Sequence, residues 1–230
     1  MKIYRVLLLD VDDTLLDFKA DEREALKKVL GQFGLSADDE VLARYSEINR
    51  ALWLAHERGE IPRQTIWERR FAALFEAFHL SADGPEAERL YRAALGEGGH
   101  LIPGAFELCR ALSRRYALYL VTNGTAATQY SRIRRAGLDR WVRETFISEE
   151  IGFPKPAPQY FDAVFEKIPF SREEALIIGD SLTSDIQGGF NAGVDTCWYN
   201  PGRKESGGLS PTYEIHTLIE LNRILKHTGE

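Results

Sequence analysis

The chain is expected to fold as an α/β protein, a doubly wound parallel sheet carrying an inserted α-helical unit. Three observations predict it. The run Val6–Leu9 and the run at 175–178 are apolar at every position, as strands covered by helices on both faces must be. From Pro103 onward such runs alternate with helix-length amphipathic segments, the rhythm of a parallel sheet with crossover helices. Between them, residues 17–99 show helical periodicity almost throughout.

Val6–Leu9 forms the first strand. In the insert, Leu26, Val29, Leu30 and Phe33 fall at i, i+3, i+4 and i+7 before a stop at Gly34, and Val41, Tyr45, Ile48 and Leu52 mark a second stripe. Thr65 and Glu68 have capping-box spacing ahead of Phe71, Leu74, Phe75 and Phe78. Leu90, Tyr91, Ala94 and Leu95 then give a fourth helix that ends at Gly98-Gly99. Beyond Pro103 the expected strands are 116–121, 144–147, 175–178 and 195–199, separated by helices near 105–114, 126–136, 158–168 and 185–192. The implied division is a core of 1–16 and 100–230 with a helical domain at 17–99.

Composition narrows the function classes. A chain of 230 residues, 44% hydrophobic, can bury a full core. Its net charge of -6 disfavours a nucleic-acid polymer or an anionic membrane as partner, but not a small phosphorylated ligand. The two cysteines, Cys109 and Cys197, lie in apolar stretches, and the N-terminus runs directly into a strand, so a reduced, cytoplasmic protein is expected. No apolar run approaches membrane-spanning length.

In sheets of this class ligands bind beyond the carboxyl ends of the strands. Asp10 and Asp12 follow the first strand, two residues apart and so directed to one side. Thr122-Asn123-Gly124 follows the second, Lys155-Pro156 the third and its loop, and Gly179-Asp180-Ser181 with Asp185 the fourth. Each alone has an ordinary reading: a turn for Thr122-Asn123-Gly124, a solvated cation for Lys155, a helix N-cap for Asp180. Together, separated acids, a hydroxyl, an amide and a lysine at one sheet edge are the inventory for a hard divalent cation bridging carboxylates and a phosphate.

Asp-x-Asp-x-Thr, Val-Thr-Asn-Gly, Lys-Pro-x-Pro and Gly-Asp-Ser-x-x-x-Asp, in this order and spacing, resemble the haloacid dehalogenase superfamily phosphatases across essentially the whole chain. The resemblance implies their Rossmann-like core, with the helical insert as a cap of the first subtype, since the stretch from Asn123 to Lys155 is too short for the larger cap at the second insertion point. Within the superfamily, Asp-x-Asp-Asp-Thr, Ala51-Leu52-Trp53 leading to Gly59-Glu60-Ile61, and Asn191-Ala192-Gly193 through Cys197-Trp198 are similar to the cytoplasmic house-cleaning pyrimidine 5'-nucleotidases. Trp53 and Trp198 are equally placed to be packing residues.

The resemblance implies a phosphomonoester hydrolase with Mg²⁺ as cofactor. Asp10 would be the nucleophile that forms a phospho-aspartate, and Asp12, its pKa raised by neighbouring carboxylates, the acid and then the base. Mg²⁺ would be held by Asp10, the backbone carbonyl of Asp12 and Asp180, with Asp185 acting through water or by orienting Lys155. Thr122, Asn123 and Lys155 would bind the phosphoryl group, while Thr14 would complete the cradle or, by preference, cap its turn. The Gly98-Gly99 pair suits a hinge. In the cap, Phe18, Trp53, Arg63 and Trp67 would include the groups that meet the leaving portion, a nucleoside monophosphate being the expected partner. A sugar phosphate or phosphoglycolate is the alternative substrate, and the motifs leave a phosphomutase open. A dehalogenase has no need of Asp12, and a phospho-signalling receiver accepts its phosphoryl group after a later strand and lacks such an insert. His56, His79, His100 and His216 are read as surface or packing residues, and both cysteines as inert.

Overall fold

A computed structural model describes residues 2–226. The chain divides into two compact units, one comprising the segment up to Phe18 and everything from Gly99 onward, the other Lys19–Gly98.

The first unit is built on a six-stranded, wholly parallel sheet. Its strands are β1 (Val6–Leu9), β2 (Ala117–Thr122), β3 (Glu144–Ile147), β4 (Ala175–Gly179), β5 (Asp195–Tyr199) and β6 (Tyr213–Ile215). The spatial order is β3-β2-β1-β4-β5-β6, so β1 is central and the winding reverses beside it. Parallel strands need crossover connections, and helices cover both faces. Leu7 and Leu9 point into one core layer with Ala105, Leu108, Cys109 and Leu112, while Val6 and Leu8 point into the other with Tyr160, Phe161 and Val164. Two wet-free faces are the reason β1 carries no polar residue.

Five strands lie within a residue of their expected positions, but β6 was not foreseen. It is three residues long with only Ile215 buried, so it offers no apolar run to read. The segment 148–151, expected as loop, forms a helical turn (Ser148–Ile151), and the expected helix at 185–192 begins earlier, as a π-helical turn Leu182–Ile186 running into an α-helix at Gln187–Ala192. Ser181 starts that turn by accepting from the backbone N–H of Ser184.

The helical unit contains α1 (Phe18–Leu30), whose first residue belongs to the other unit, with α2 (Asp39–Glu57), α3 (Arg63–Ala77) and α4 (Gly84–Gly96). Gly34 ends the first stripe in the left-handed conformation, as a Cβ-free residue can at little cost. Asp38 and Asp83 are side-chain N-caps. The Thr65–Glu68 capping box does not form, because α3 starts earlier, after Pro62. Tyr45, Phe71 and Tyr91 pack as a ring cluster with centroids 5.3–5.6 Å apart. Beside it the buried Arg70 guanidinium forks onto Glu88 at 2.6 and 2.7 Å and reaches Asn49 at 3.1 Å.

Candidate active site

The strand order brings the carboxyl ends of β1, β2 and β4 side by side, and with them Asp10, Asp12, Thr122, Asp180 and Asp185. The chain turns sharply after β1. Asp13 adopts φ +56°, a left-handed conformation that Asp tolerates better than most residues, and the backbone N–H groups of Leu15 and Leu16 both donate to Val11 O.

Lys155 sits at the centre of the site, 1% exposed, preceding a cis peptide bond to Pro156. Its Nζ donates to Asp10 Oδ1 at 2.7 Å, to Asp185 Oδ1 at 2.6 Å and to Val121 O at 2.9 Å. Three donors meet three acceptors, so the ammonium is fully satisfied without water. Burial works against its charge, but Asp10 and Asp185 outweigh that and hold its pKa above the ordinary lysine value.

Asp10, Asp180 and Asp185 each bring one carboxylate oxygen within 4.8 Å of the others. Burial, and after it the neighbouring Asp185, pushes Asp10 up to about 7 against the pull of Lys155. Burial followed by Asp10 and Asp185 raises Asp180 well above the usual carboxylate range. One lysine cannot balance three clustered carboxylates. All-oxygen, hard, anionic donors at this spacing fit a divalent cation such as Mg²⁺, and a transition metal that prefers nitrogen or sulfur finds no such ligand in the group.

Glycine makes the cluster possible. A Cβ on Gly179 would run into the Asp185 carboxylate, so the last residue of β4 must lack a side chain for Asp185 to fold back over it. Asp185 is held there by the Ser181 backbone N–H, which donates to Oδ2 at 3.1 Å. The Trp198 indole donates to Asp180 O at 2.9 Å, so this buried ring supports the loop as well as packing. Thr14 does not cap its own turn. Its fully buried hydroxyl accepts from the Asp180 backbone N–H at 3.1 Å, tying the first loop to the fourth.

Asn123 spends its amide on the Lys155 loop. Oδ1 accepts from Lys155 N at 2.8 Å and Nδ2 donates to Lys155 O at 2.9 Å, so the side chain acts as a clasp and retains one N–H for a ligand. Thr122 is arranged differently. Its hydroxyl oxygen accepts from Gly124 N at 3.1 Å and from Gln129 Nε2 at 2.7 Å, which fills both lone pairs and leaves the O–H as a donor.

Gln129 and Arg132 were missed by sequence reading. Both lie on α5 (Ala126–Arg135), both are 1% exposed, and both grip Asp12. Gln129 Nε2 donates to Asp12 Oδ2 at 2.7 Å, and Arg132 Nη1 donates to Asp12 Oδ1. Gln129 crosses directly over Gly124, where a Cβ would lie 2.5 Å from Nε2, so the glycine of Thr-Asn-Gly clears a path as well as making a turn. A signal existed: polar residues spaced i and i+3 on the face of α5 that also carries Ile133 need buried partners.

The cap residues expected to meet a leaving group are all half-buried. Phe18 lies under the Arg132 guanidinium at 5.4 Å, Trp53 packs edge-on against His56, and Arg92 lies 4.8 Å over Trp67. His56 bonds to Ile61 O and His216 to Asn200 O. Cys109 and Cys197 are free and buried, and burial pushes the Cys109 thiol up to about 12.

The family model of the haloacid dehalogenase-like hydrolases matches residues 4–193. The chain is 48% identical to the HAD-hydrolase YfnB of Bacillus subtilis, over 98% of this chain and 97% of YfnB. It is 39% identical to the pyrimidine 5'-nucleotidase PynA of Streptococcus pneumoniae, over 95% and 93% of the two chains. The crystal structure of the Bacillus subtilis YfnB bound to magnesium superposes with a TM-score of 0.93, covering 97% of this chain and 99% of that one.

Proposed function

Since the chain belongs to the haloacid dehalogenase-like hydrolases, as a phosphatase of that family, we propose that its acid cluster hydrolyses phosphomonoesters with Mg²⁺, through a phospho-aspartate on Asp10. The observation that carries this reading is Lys155 Nζ bridging Asp10 and Asp185, with Asp180 alongside, at the carboxyl ends of β1 and β4. That edge presents an oxygen nucleophile, a fixed positive charge and an anionic ion-binding group together.

Asp10, the backbone carbonyl of Asp12 and Asp180 hold the ion, and Asp185 acts through water or by fixing Lys155, to which it is bonded. Bound there, Mg²⁺ supplies Lewis-acid charge that lets an anionic carboxylate approach an anionic phosphate. An Asp10 oxygen forms the bond to phosphorus as the ester P–O bond breaks. Asp12 gives its proton to the departing alkoxide and then takes one from the water that hydrolyses the acyl phosphate. The Thr122 hydroxyl, the remaining Asn123 N–H and Lys155 stabilise the equatorial oxygens. Magnesium in the YfnB structure supports the choice of ion.

The substrate is a nucleoside 5'-monophosphate with a pyrimidine base. PynA at 39% and the pyrimidine 5'-nucleotidase YjjG of Escherichia coli at 31% identity support this class. The free buried thiols are in keeping with a reduced, cytoplasmic setting, and no helix among the described residues is long and apolar enough to cross a membrane.

The test has two parts. A phosphate-release screen over nucleoside monophosphates, sugar phosphates and phosphoglycolate, with Mg²⁺ and with chelator, should place deoxypyrimidine monophosphates first and lose turnover in chelator. A clear lead for sugar phosphates overturns the substrate but keeps the hydrolase. Rapid-quench peptide mapping should find phosphate on the peptide containing Asp10, and none in Asp10→Asn. Full turnover by Asp10→Asn overturns the mechanism.

A further inference from the structure

We propose that Arg132 and Gln129 are positioning residues that hold Asp12 in line for proton transfer and lock it to the phosphate-binding Thr122. The inference rests on the reading of Asp12 as the acid and base. It assigns function to two helix residues outside every sequence motif.

The geometry is asymmetric. The Asp12 side chain is 30% exposed, whereas Arg132 behind it is 1% exposed. Taking the guanidinium out of water is costly, and a partly exposed partner offsets that cost only in part, so the pair is a poor stabilising device for the fold. Here a buried guanidinium, bonded through Nη1, holds a partly exposed carboxylate. Gln129 adds the second constraint, because one amide nitrogen donates at 2.7 Å to Asp12 Oδ2 and at 2.7 Å to Thr122 Oγ1. The Gln129 oxygen accepts in turn from Arg132 Nη1 at 3.1 Å, which fixes the orientation of the amide. The chain of contacts is closed: Asp12 to Arg132, Arg132 to Gln129, Gln129 back to Asp12 and on to Thr122. The Phe18 ring, 5.4 Å from the guanidinium carbon, limits its remaining freedom. Since Asp12 and Thr122 would address opposite ends of the breaking P–O bond, a shared partner fixes the proton donor relative to the phosphoryl group.

Positioning of the acid has a kinetic signature that a structural role lacks. Expulsion of an alkoxide needs the proton from Asp12, whereas p-nitrophenolate leaves without it. The measurement is the single-turnover rate of Asp10 phosphorylation by thymidine 5'-monophosphate and by p-nitrophenyl phosphate, both with Mg²⁺. In Arg132→Met the rate with the nucleotide should fall by about 30- to 100-fold, within the range a general acid supplies, with KM nearly unchanged, while p-nitrophenyl phosphate loses less than about threefold. Arg132→Lys, which keeps the charge but not the planar guanidinium whose Nη1 reaches both Asp12 and Gln129, should recover part of the nucleotide rate. In an Asp12→Asn background Arg132→Met should cost less than about twofold more, because the group it positions is gone.

Equal losses for both leaving groups, or a full loss on top of Asp12→Asn, overturn the proposal. If Arg132→Met does not fold, the same comparison on Arg132→Lys decides, since any loss it shows must favour the alkoxide. A wild-type nucleotide rate in Asp12→Asn would instead remove the acid role on which the inference rests. Loss in Asp12→Asn with no effect in either Arg132 variant would leave that role intact and end this proposal alone.

Discussion

Replacing Lys155 by Met keeps the length of the side chain and removes its charge, and the consequences can be worked from the contacts. The ammonium lies 2.7 Å from Asp10 Oδ1 and 2.6 Å from Asp185 Oδ1. At an effective dielectric constant of about 20 each such pair is worth on the order of 6 kcal/mol. Desolvation of the buried amine offsets much of that, and removing one partner of a buried pair costs a net ~3–5 kcal/mol because the carboxylates stay behind uncompensated. For a chain of this size that corresponds to a fall in Tm of roughly 6–20 °C in chelator. Mg²⁺ should restore part of it, since the extra negative charge falls among the carboxylates clustered around the proposed ion site. Catalysis should not follow stability. If the Lys155 charge serves phosphoryl transfer as proposed, kcat should drop by about 10²–10³-fold even at saturating Mg²⁺, while the half-saturating Mg²⁺ concentration falls. The assays are thermal unfolding with and without Mg²⁺ and phosphate release against Mg²⁺ concentration. A kcat within about threefold of wild type, or a higher Mg²⁺ requirement, would show the electrostatic role given to Lys155 to be wrong.

Gly179→Ala should destabilise by about 1–3 kcal/mol and lower Mg²⁺ affinity, because the added methyl displaces Asp185; thermal unfolding and a Mg²⁺ titration read both. Burial, then Asp185, raises Asp10 to about 7 in the folded chain, so the folded state binds this proton more tightly than the unfolded one. Its stabilising contribution is complete below about pH 4 and is lost as pH rises through about 7. Chelator-treated protein should therefore unfold at lower urea as pH goes from 5.5 to 7.5, and Mg²⁺ should flatten the trend. Arg70→Met strips the fork from the buried Glu88 and leaves it the ion pair with the partly exposed Arg92 at 3.3 Å, so it should cost up to ~3–5 kcal/mol by urea unfolding, with Arg70→Lys intermediate because it cannot fork.

Much of the fold was legible because its strands are buried on both faces. β1 and β4 are apolar at each position, so their lengths could be read to within one residue. β6 escaped because an edge strand with one buried residue has no such signature. The residues expected at the site were found from the rule that parallel sheets bind ligands at their carboxyl ends, and Asp10, Thr122, Asp180 and Asp185 lie at the ends of β1, β2 and β4 or in the turn beyond. Their partners were less accessible. Asn123, expected to address phosphate, also clasps the Lys155 backbone, and Thr14, expected to complete the cradle or cap its turn, joins two loops.

The sequence by itself determined the alternation of strands and helices, the helical insert and the strand-end acids, since these depend on backbone periodicity over a few residues. Only the tertiary structure decided that Lys155 reaches both Asp10 and Asp185, and that Arg132 and Gln129 hold Asp12 from a helix more than a hundred positions along the chain. The physical reason is that a hydrogen bond across such a separation depends on which strand ends become neighbours and on where glycines let a side chain pass. Both are set by packing of the two core layers around β1, to which local periodicity is blind.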